Sequence, residues 1–174
     1  MSIQNKKPLK IYILLFVIVT LVLVVDQMTK SYIVKSLKLY ESMVVIQHFF
    51  SLTYTRNPGA AFGFLAEQDG AFRSIFFVSI SGVALIFLIY FFIKTPANDI
   101  LSIVALSLIL GGAIGNFLDR IQKGEVIDFL DFYIGRHHWW IFNIADSAIT
   151  VGISLLILQT FFNKTKENEL NFNL

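Results

Sequence analysis

Four apolar runs constrain this chain more than any other feature. The first, Ile11 to Val25, continues through a helix-compatible segment to Lys35, and the others run from Ile75 to Ile93, Ile100 to about Leu118 and Trp140 to Phe162. A bilayer's hydrocarbon core demands about 20 predominantly apolar residues of a crossing helix, so spans are expected at about 11–35, 75–93, 100–118 and 140–162. Composition agrees. Of 174 residues 56% are hydrophobic and only 15% charged, against roughly 25% charged in a soluble domain. The chain reads as one integral membrane domain, residues 1–174. Lys6, Lys7 and Lys10 ahead of the first run resemble the start of a secretory signal peptide. That run nevertheless leads into Asp26, Gln27 and Lys30 with no small-residue cleavage site, which makes it an uncleaved first span.

Several chemistries fall away at once. With no Cys there is no thiolate nucleophile, disulfide or Cys-ligated metal. His137 and His138 are adjacent and make a poor metal set, so neither a metal nor a cofactor is expected. The net charge of +2 gives no reason to expect a nucleic-acid partner.

Acids in such a chain ask for an explanation, because an ionised carboxylate in hydrocarbon costs several kcal/mol or more unless paired or wetted. The stretch from Gly111 to Ser147 holds four, Asp119, Asp128, Asp131 and Asp146. At the start of the fourth span Asn143, Asp146, Ser147 and Thr150 fall at i, i+3, i+4 and i+7, a polar stripe on an otherwise apolar helix. Lipid does not need such a stripe, so it faces protein, water or substrate. In the third span Gly112, Asn116 and Arg120 share one face, and Gly111 and Gly115 form a small-xxx-small pair beside it. Asp119, with Arg120 next to it and Asn116 nearby, reads as a structural ion pair. Asp26 and Lys30, at i and i+4 with the acid first, read as another. Asp99 is a candidate N-cap for the third span.

From Met43 to Arg56 the period changes to two, broken only at His48, with β-branched and aromatic residues that argue for strands. Open strand edges are not tolerated in hydrocarbon, so this region must sit at the membrane surface. Asn57-Pro58-Gly59 then marks a turn. The segment from Val126 to Trp140 reads as amphipathic and interfacial, ending in Trp139 and Trp140 at an aromatic belt. Orientation follows the basic flank before the first span, which puts both termini in the cytoplasm and the acids near the outer face.

Two carboxylates held close cannot both ionise comfortably, so one keeps a proton while the other acts as base toward a shared water. Asp146 is the firmest member of such a dyad, and spacing leaves Asp128 and Asp131 open as its partner. A small proton-coupled transporter and a non-catalytic assembly subunit are the rival readings.

Five pieces in order, Asp26-Gln27-x-x-Lys30, Arg56-Asn57-x-Gly59-Ala60-Ala61-Phe62-Gly63, Gly115-Asn116-x-x-Asp119-Arg120, Val126-x-Asp128-Phe129 and Phe142-Asn143-x-Ala145-Asp146, resemble the lipoprotein signal peptidase (signal peptidase II) family. The resemblance covers about Val25 to Thr150. It implies an all-α membrane protein of four transmembrane helices, with a small extracytoplasmic β-cradle (about 43–64) and a short interfacial helix at about Glu67 to Arg73. It implies an aspartyl endopeptidase of the bacterial inner membrane. Such an enzyme removes the signal peptide from diacylglyceryl-modified prolipoproteins just before the lipidated cysteine. The catalytic pair falls on Asp128 and Asp146. Asn57, Gly112, Asn116, Arg120 and Asn143 match substrate-binding positions that also contact the inhibitor globomycin, and Asp26, Lys30 and Asp119 match supporting ones. The partners implied are a lipid-modified prolipoprotein and membrane lipids, with the enzyme acting as a monomer.

Overall fold

Asp99 starts the helix around which the others gather. Its side chain accepts the backbone N–H of Ser102 at 3.1 Å, which satisfies one of the free donors at a helix start. Helix α3 then runs Ile100–Lys123 until Gly124, at φ 74°, turns left-handed and closes it. The computed structural model describes residues 7–59 and 69–172, with side chains as far as Phe161. In chain order its elements are α1 (Leu9–Ser36), β1 (Ser42–Ile46), β2 (Phe50–Asn57), α2 (Gly70–Lys94), α3, β3 (Val126–Ile134), β4 (His137–His138) and α4 (Ile144–Phe172). Four of the described helices are long and apolar enough to cross a membrane, as the apolar runs predict.

Among the described residues α3 packs against α1, α2 and α4, whereas α2 packs mainly on α3 and meets α1 only through side chains such as Phe92. Two apolar clusters divide the work. Ile11, Phe92, Ile103 and Leu106 pack together within the bundle. Lipid tails are as apolar as these side chains, so close packing rather than expulsion of water holds that cluster. Ile33, Tyr54, Ile127 and Phe129 form the second and join the end of α1 to the sheet.

The glycines set how closely the helices approach. A Cβ on Gly111 would fall 2.9 Å from Val22 Cβ on α1. One on Gly112 would collide with the backbone oxygen of Ala145 on α4, and would lie 2.8 Å from Ile149. Gly112→Val should therefore push α4 off α3, at about 1–3 kcal/mol or more for overpacking. The thermal unfolding midpoint in detergent should fall, while Gly70→Val, where a Cβ meets nothing within 4 Å among the described residues, should leave it nearly unchanged. Equal midpoints would mean that the two backbones are not held this close.

The strands form one antiparallel sheet in the order β1-β2-β3-β4. His48, the break in the alternating pattern, is at the hairpin turn with φ 63°, so the region is a β1–β2 hairpin. The segment from Val126 to Trp140, read only as amphipathic and interfacial, takes its secondary structure from pairing. This amphipathic segment is strand β3, which pairs with β2 in a register that sets Thr55 opposite Asp128 and Ser51 opposite Asp131, followed by the short β4. Phe132 stacks on Phe50 at 4.6 Å and on Phe142 at 5.8 Å, which ties hairpin, β3 and the entry to α4 together.

The fourth helix starts at Ile144 rather than Trp140, because Phe142 is still extended and exchanges backbone hydrogen bonds with Leu130. Trp139 and Trp140 are exposed in that extended entry. The second span begins earlier than its apolar run, at Gly70. Of the interfacial helix expected at about Glu67 to Arg73, Asp69 precedes α2 and Gly70 to Arg73 is its first turn, while Glu67 and Gln68 lie outside the described residues. So does the cradle beyond Gly59.

Candidate active site

The first turn of α4 builds the site. Asn143 precedes the helix, and its Oδ1 accepts the backbone N–H of Asp146 at 2.9 Å. In return Asp146 Oδ2 accepts the backbone N–H of Asn143 at 3.2 Å. This reciprocal pair has the form of a capping box, and it holds the Asp146 carboxylate at a helix N-terminus, where negative charge is favoured. The Asn143 amide, fully buried, spans the gap to β3, with Nδ2 2.7 Å from Asp128 Oδ1 and 3.2 Å from the Ile127 carbonyl oxygen. One asparagine thus touches both carboxylates.

Asp128 is buried on β3, and its other oxygen, Oδ2, accepts from Asn57 Nδ2 at 3.0 Å. Asn57 Oδ1 accepts the backbone N–H of Gly59 at 2.9 Å. The Asn57 turn is therefore latched from both sides, with Gly59 left-handed at φ 90°. Burial first, and then the negative charge of Asp146, push the Asp128 carboxyl up to about 7, against the pull of the Asn57 and Asn143 hydrogen bonds.

Asp131 is buried too, but it serves a different group. Successive side chains on a strand alternate between faces, so residues three apart on β3 point away from each other. Asp131 accepts from Thr53 Oγ1 at 2.9 Å and lies 2.8 Å from His138 Nδ1. Of the two acids that spacing leaves open, Asp128 thus faces Asn143 and the start of α4, and Asp131 faces Thr53 and His138.

Beneath the pair lies a buried charge network. Lys30 Nζ is 2.8 Å from Asp26 Oδ2, 2.8 Å from Asp119 Oδ2 and 3.0 Å from Asn116 Oδ1. Asn116 Nδ2 donates onward to Asp146 Oδ1 at 2.7 Å. The partners of Asp119 are therefore Lys30 and Lys123, the latter at 2.9 Å, and the Arg120 pairing expected from adjacency is replaced. Neighbours in a helix point about 100° apart, whereas Lys123 at i+4 stands on the same face. That spacing could have exposed Lys123 in the sequence. Asp26 does more than close a span, since its Oδ1 accepts the backbone N–H of Ala145 at 3.0 Å and links α1 to the first turn of α4. Gln27 reinforces the junction, donating to Asp26 Oδ2 at 3.1 Å and to the Gly115 carbonyl oxygen at 3.3 Å.

Arg120 lies within the electrostatic field of Asp146, Asp128 and Asp119. Its Nη1 donates to the Asn116 carbonyl oxygen at 3.3 Å, while Nε is buried without a hydrogen-bond partner among the described residues, an unspent donor in the field of those aspartates. Gly112 faces α4 at Ala145 and Ile149. The polar stripe of α4 opens on a cavity of about 380 Å³ lined by Trp139, Trp140, Phe142, Asp146, Ser147, Thr150 and Val151. One wall is thus carboxylate and hydroxyl and the rest mostly apolar.

The comparisons with known proteins bear on this arrangement. The family model described as Signal peptidase (SPase) II matches residues 18–162. A lipoprotein signal peptidase of Syntrophus aciditrophicus is 49% identical over 93% of this chain and 98% of its own length. That of Francisella tularensis subsp. novicida is 45% identical over 87% of this chain and 93% of its own. Two solved structures, each described as a bacterial membrane enzyme determined by the in meso method, are also similar. One has a TM-score of 0.77 at 40% identity, covering 87% of this chain and 90% of that one. The other has a TM-score of 0.75 at 42% identity, covering 84% and 91%. A match that runs from within the first helix to the fourth, with relatives this similar over nearly their whole length, makes this multi-pass membrane protein a member of the signal peptidase II family.

Proposed function

We propose that this protein is an aspartyl endopeptidase of the bacterial inner membrane that removes the signal peptide from diacylglyceryl-modified prolipoproteins, just before the lipidated cysteine, using Asp128 and Asp146. The observation that carries the reading is the bridge made by Asn143, which links the buried Asp128 carboxylate to the half-buried carboxylate of Asp146, with no lysine or arginine bonded directly to either among the described residues. Carboxylates so placed share a proton more readily than they both ionise. One takes a proton from a water as its oxygen attacks the peptide carbonyl, and the other gives its proton to the developing oxyanion. When the C–N bond breaks, the leaving nitrogen takes up the proton drawn from water, and the hydroxyl proton of the tetrahedral carbon returns to the second carboxylate. The pair ends as it began.

The surroundings suit such a substrate. The unspent Arg120 donor and the Asn57 turn can hold peptide carbonyls. The apolar walls of the cavity beside Asp146 can accept a signal helix or acyl chain. The basic flank at Lys7 and Lys10 supports cytoplasmic termini, with the sheet and the aspartates near the outer face. Membrane lipids would surround the exposed apolar faces of the helices. Globomycin would compete at the same pocket, and a monomer would suffice, since both aspartates belong to one chain.

The direct test is incubation of the purified protein with a diacylglyceryl-modified precursor and, separately, with the unmodified one. The modified precursor should lose the mass of its signal peptide, and the unmodified one should remain whole. An uncut lipid-modified precursor would sink the assignment.

A further inference from the structure

The network beneath the aspartates contains a cation, Lys30, that the proposed chemistry does not use. Its ammonium is buried against Asp26 and Asp119, and a third contact goes to Asn116 Oδ1 at 3.0 Å. An ammonium has three donors and no acceptor. The Asn116 amide must therefore turn its oxygen toward Lys30, and that turn directs Nδ2 at Asp146 Oδ1, 2.7 Å away. Asn143 Nδ2, 3.2 Å from the same Asn116 oxygen, favours the same orientation. An amide flipped the other way would set its carbonyl oxygen against the Asp146 carboxylate. Both polar atoms of this buried asparagine are thus engaged within the protein, which points to support of Asp146 rather than to contact with substrate.

We propose that Lys30 is a positioning residue for the aspartate pair: acting through Asn116, it holds the Asp146 carboxylate as the acceptor of the water proton and leaves Asp128 as the member that carries the proton. This rests on the aspartyl-protease reading. Asp146 stands in the first turn of α4 with a backbone N–H on one oxygen, a setting that favours negative charge. Asp128 stands on a strand without that help, and its carboxyl, pushed up to about 7 by burial and by Asp146, holds a proton near neutral pH. In the catalytic step the water oxygen bonds to the carbonyl carbon, the water proton moves to Asp146, and the Asp128 proton moves to the carbonyl oxygen.

Lys30 also balances buried charge, so a test must separate that duty from positioning. In the double variant Lys30→Met/Asp119→Asn one cation and one anion leave together, so the net charge of the cluster is unchanged, and Asp26 keeps the Ala145 N–H and Gln27. With a diacylglyceryl-modified precursor peptide, wild type should cleave and Asp146→Asn should not, which secures the underlying reading. Compared with Lys30→Met alone, the double variant should regain thermal stability. Its KM should match wild type and its kcat should be lower by on the order of 10- to 100-fold, the scale of a misplaced catalytic group. Asn116→Ala, which keeps all four charges, should show the same split and decides the matter if the double variant does not fold. A wild-type kcat in either folded variant overturns the role of Lys30 while the protease reading stands. A precursor left uncut by wild type overturns that reading and this inference with it.

Discussion

Changing either Asp128 or Asp146 to Asn should lower turnover of a lipid-modified precursor by about 100- to 10,000-fold, the usual contribution of a positioned acid or base. Asn keeps the size of the side chain and an oxygen for the donors already present. Asn143 can still donate to position 128 and Asn116 to position 146, so both proteins should fold. Each change gives up one accepted hydrogen bond, since one of the two oxygens becomes an amide donor, together with the ability to take up or release a proton. The double variant should be little worse than the worse single one, because groups that act as a unit are non-additive. Precursor binding should survive, since these groups act on the transition state rather than on the lipid or the signal helix. Asp131→Asn should cost far less, because its carboxylate is turned to Thr53 and His138. Loss of cleavage in Asp131→Asn with activity kept in Asp128→Asn would reverse the assignment.

The same pair sets the pH dependence. One proton must be present and one absent, so kcat/KM should follow a bell. The Asp128 carboxyl is raised to about 7 in the folded protein, so its protonated form is lost as pH climbs through that value and the alkaline limb should fall there. The acid limb belongs to protonation of the second carboxylate. Both apparent values are properties of the pair rather than of either residue. A rate that keeps rising well above pH 8 would show that no proton on this pair is needed.

Lys30→Met should be the most damaging change to stability. The ammonium is buried between two carboxylates at 2.8 Å each, and its removal leaves Asp26 and Asp119 as buried anions. Breaking a buried pair from one side costs about 3–5 kcal/mol, because the surviving charge has lost both water and partner. Asp119 keeps Lys123 at 2.9 Å, and Asp26 keeps the Ala145 N–H and Gln27, which places the loss inside that range rather than above it. At this chain length the unfolding midpoint should drop by on the order of 10 °C. Asp119→Asn should be milder, since it removes one charge of a neutral set and keeps hydrogen-bonding atoms in place, and it should leave measurable turnover. A Lys30→Met protein as stable as wild type would show that the network is wetted rather than buried.

Local patterns carried a large share of this architecture. Runs of apolar residues long enough to cross a bilayer gave the helices, because in lipid every backbone polar group must be satisfied within its own segment. The Asp99 cap, the stripe of Asp146, Ser147 and Thr150 facing a cavity, and the small residues at Gly111 and Gly112 were likewise legible, since each depends on neighbours within one or two turns.

The segment from Val126 to Ile134 was not legible in the same way. Its apolar and acidic residues suit a helix or a strand. Pairing with β2, some 70 residues earlier in the chain, makes it a strand, and strand alternation then separates Asp128 from Asp131. The partner of Asp119 was hidden for a related reason. Lys30 lies on α1, and sequence offers only the nearby cations Arg120 and Lys123, whereas the contact exists because α1 and α3 pack side by side. Chain-local geometry determined which residues are helical and which face is polar. Which charges meet across helices, Lys30 with Asp119 among them, was decided by tertiary packing, because a buried ion takes the nearest opposite charge in space, at whatever distance along the chain that charge lies.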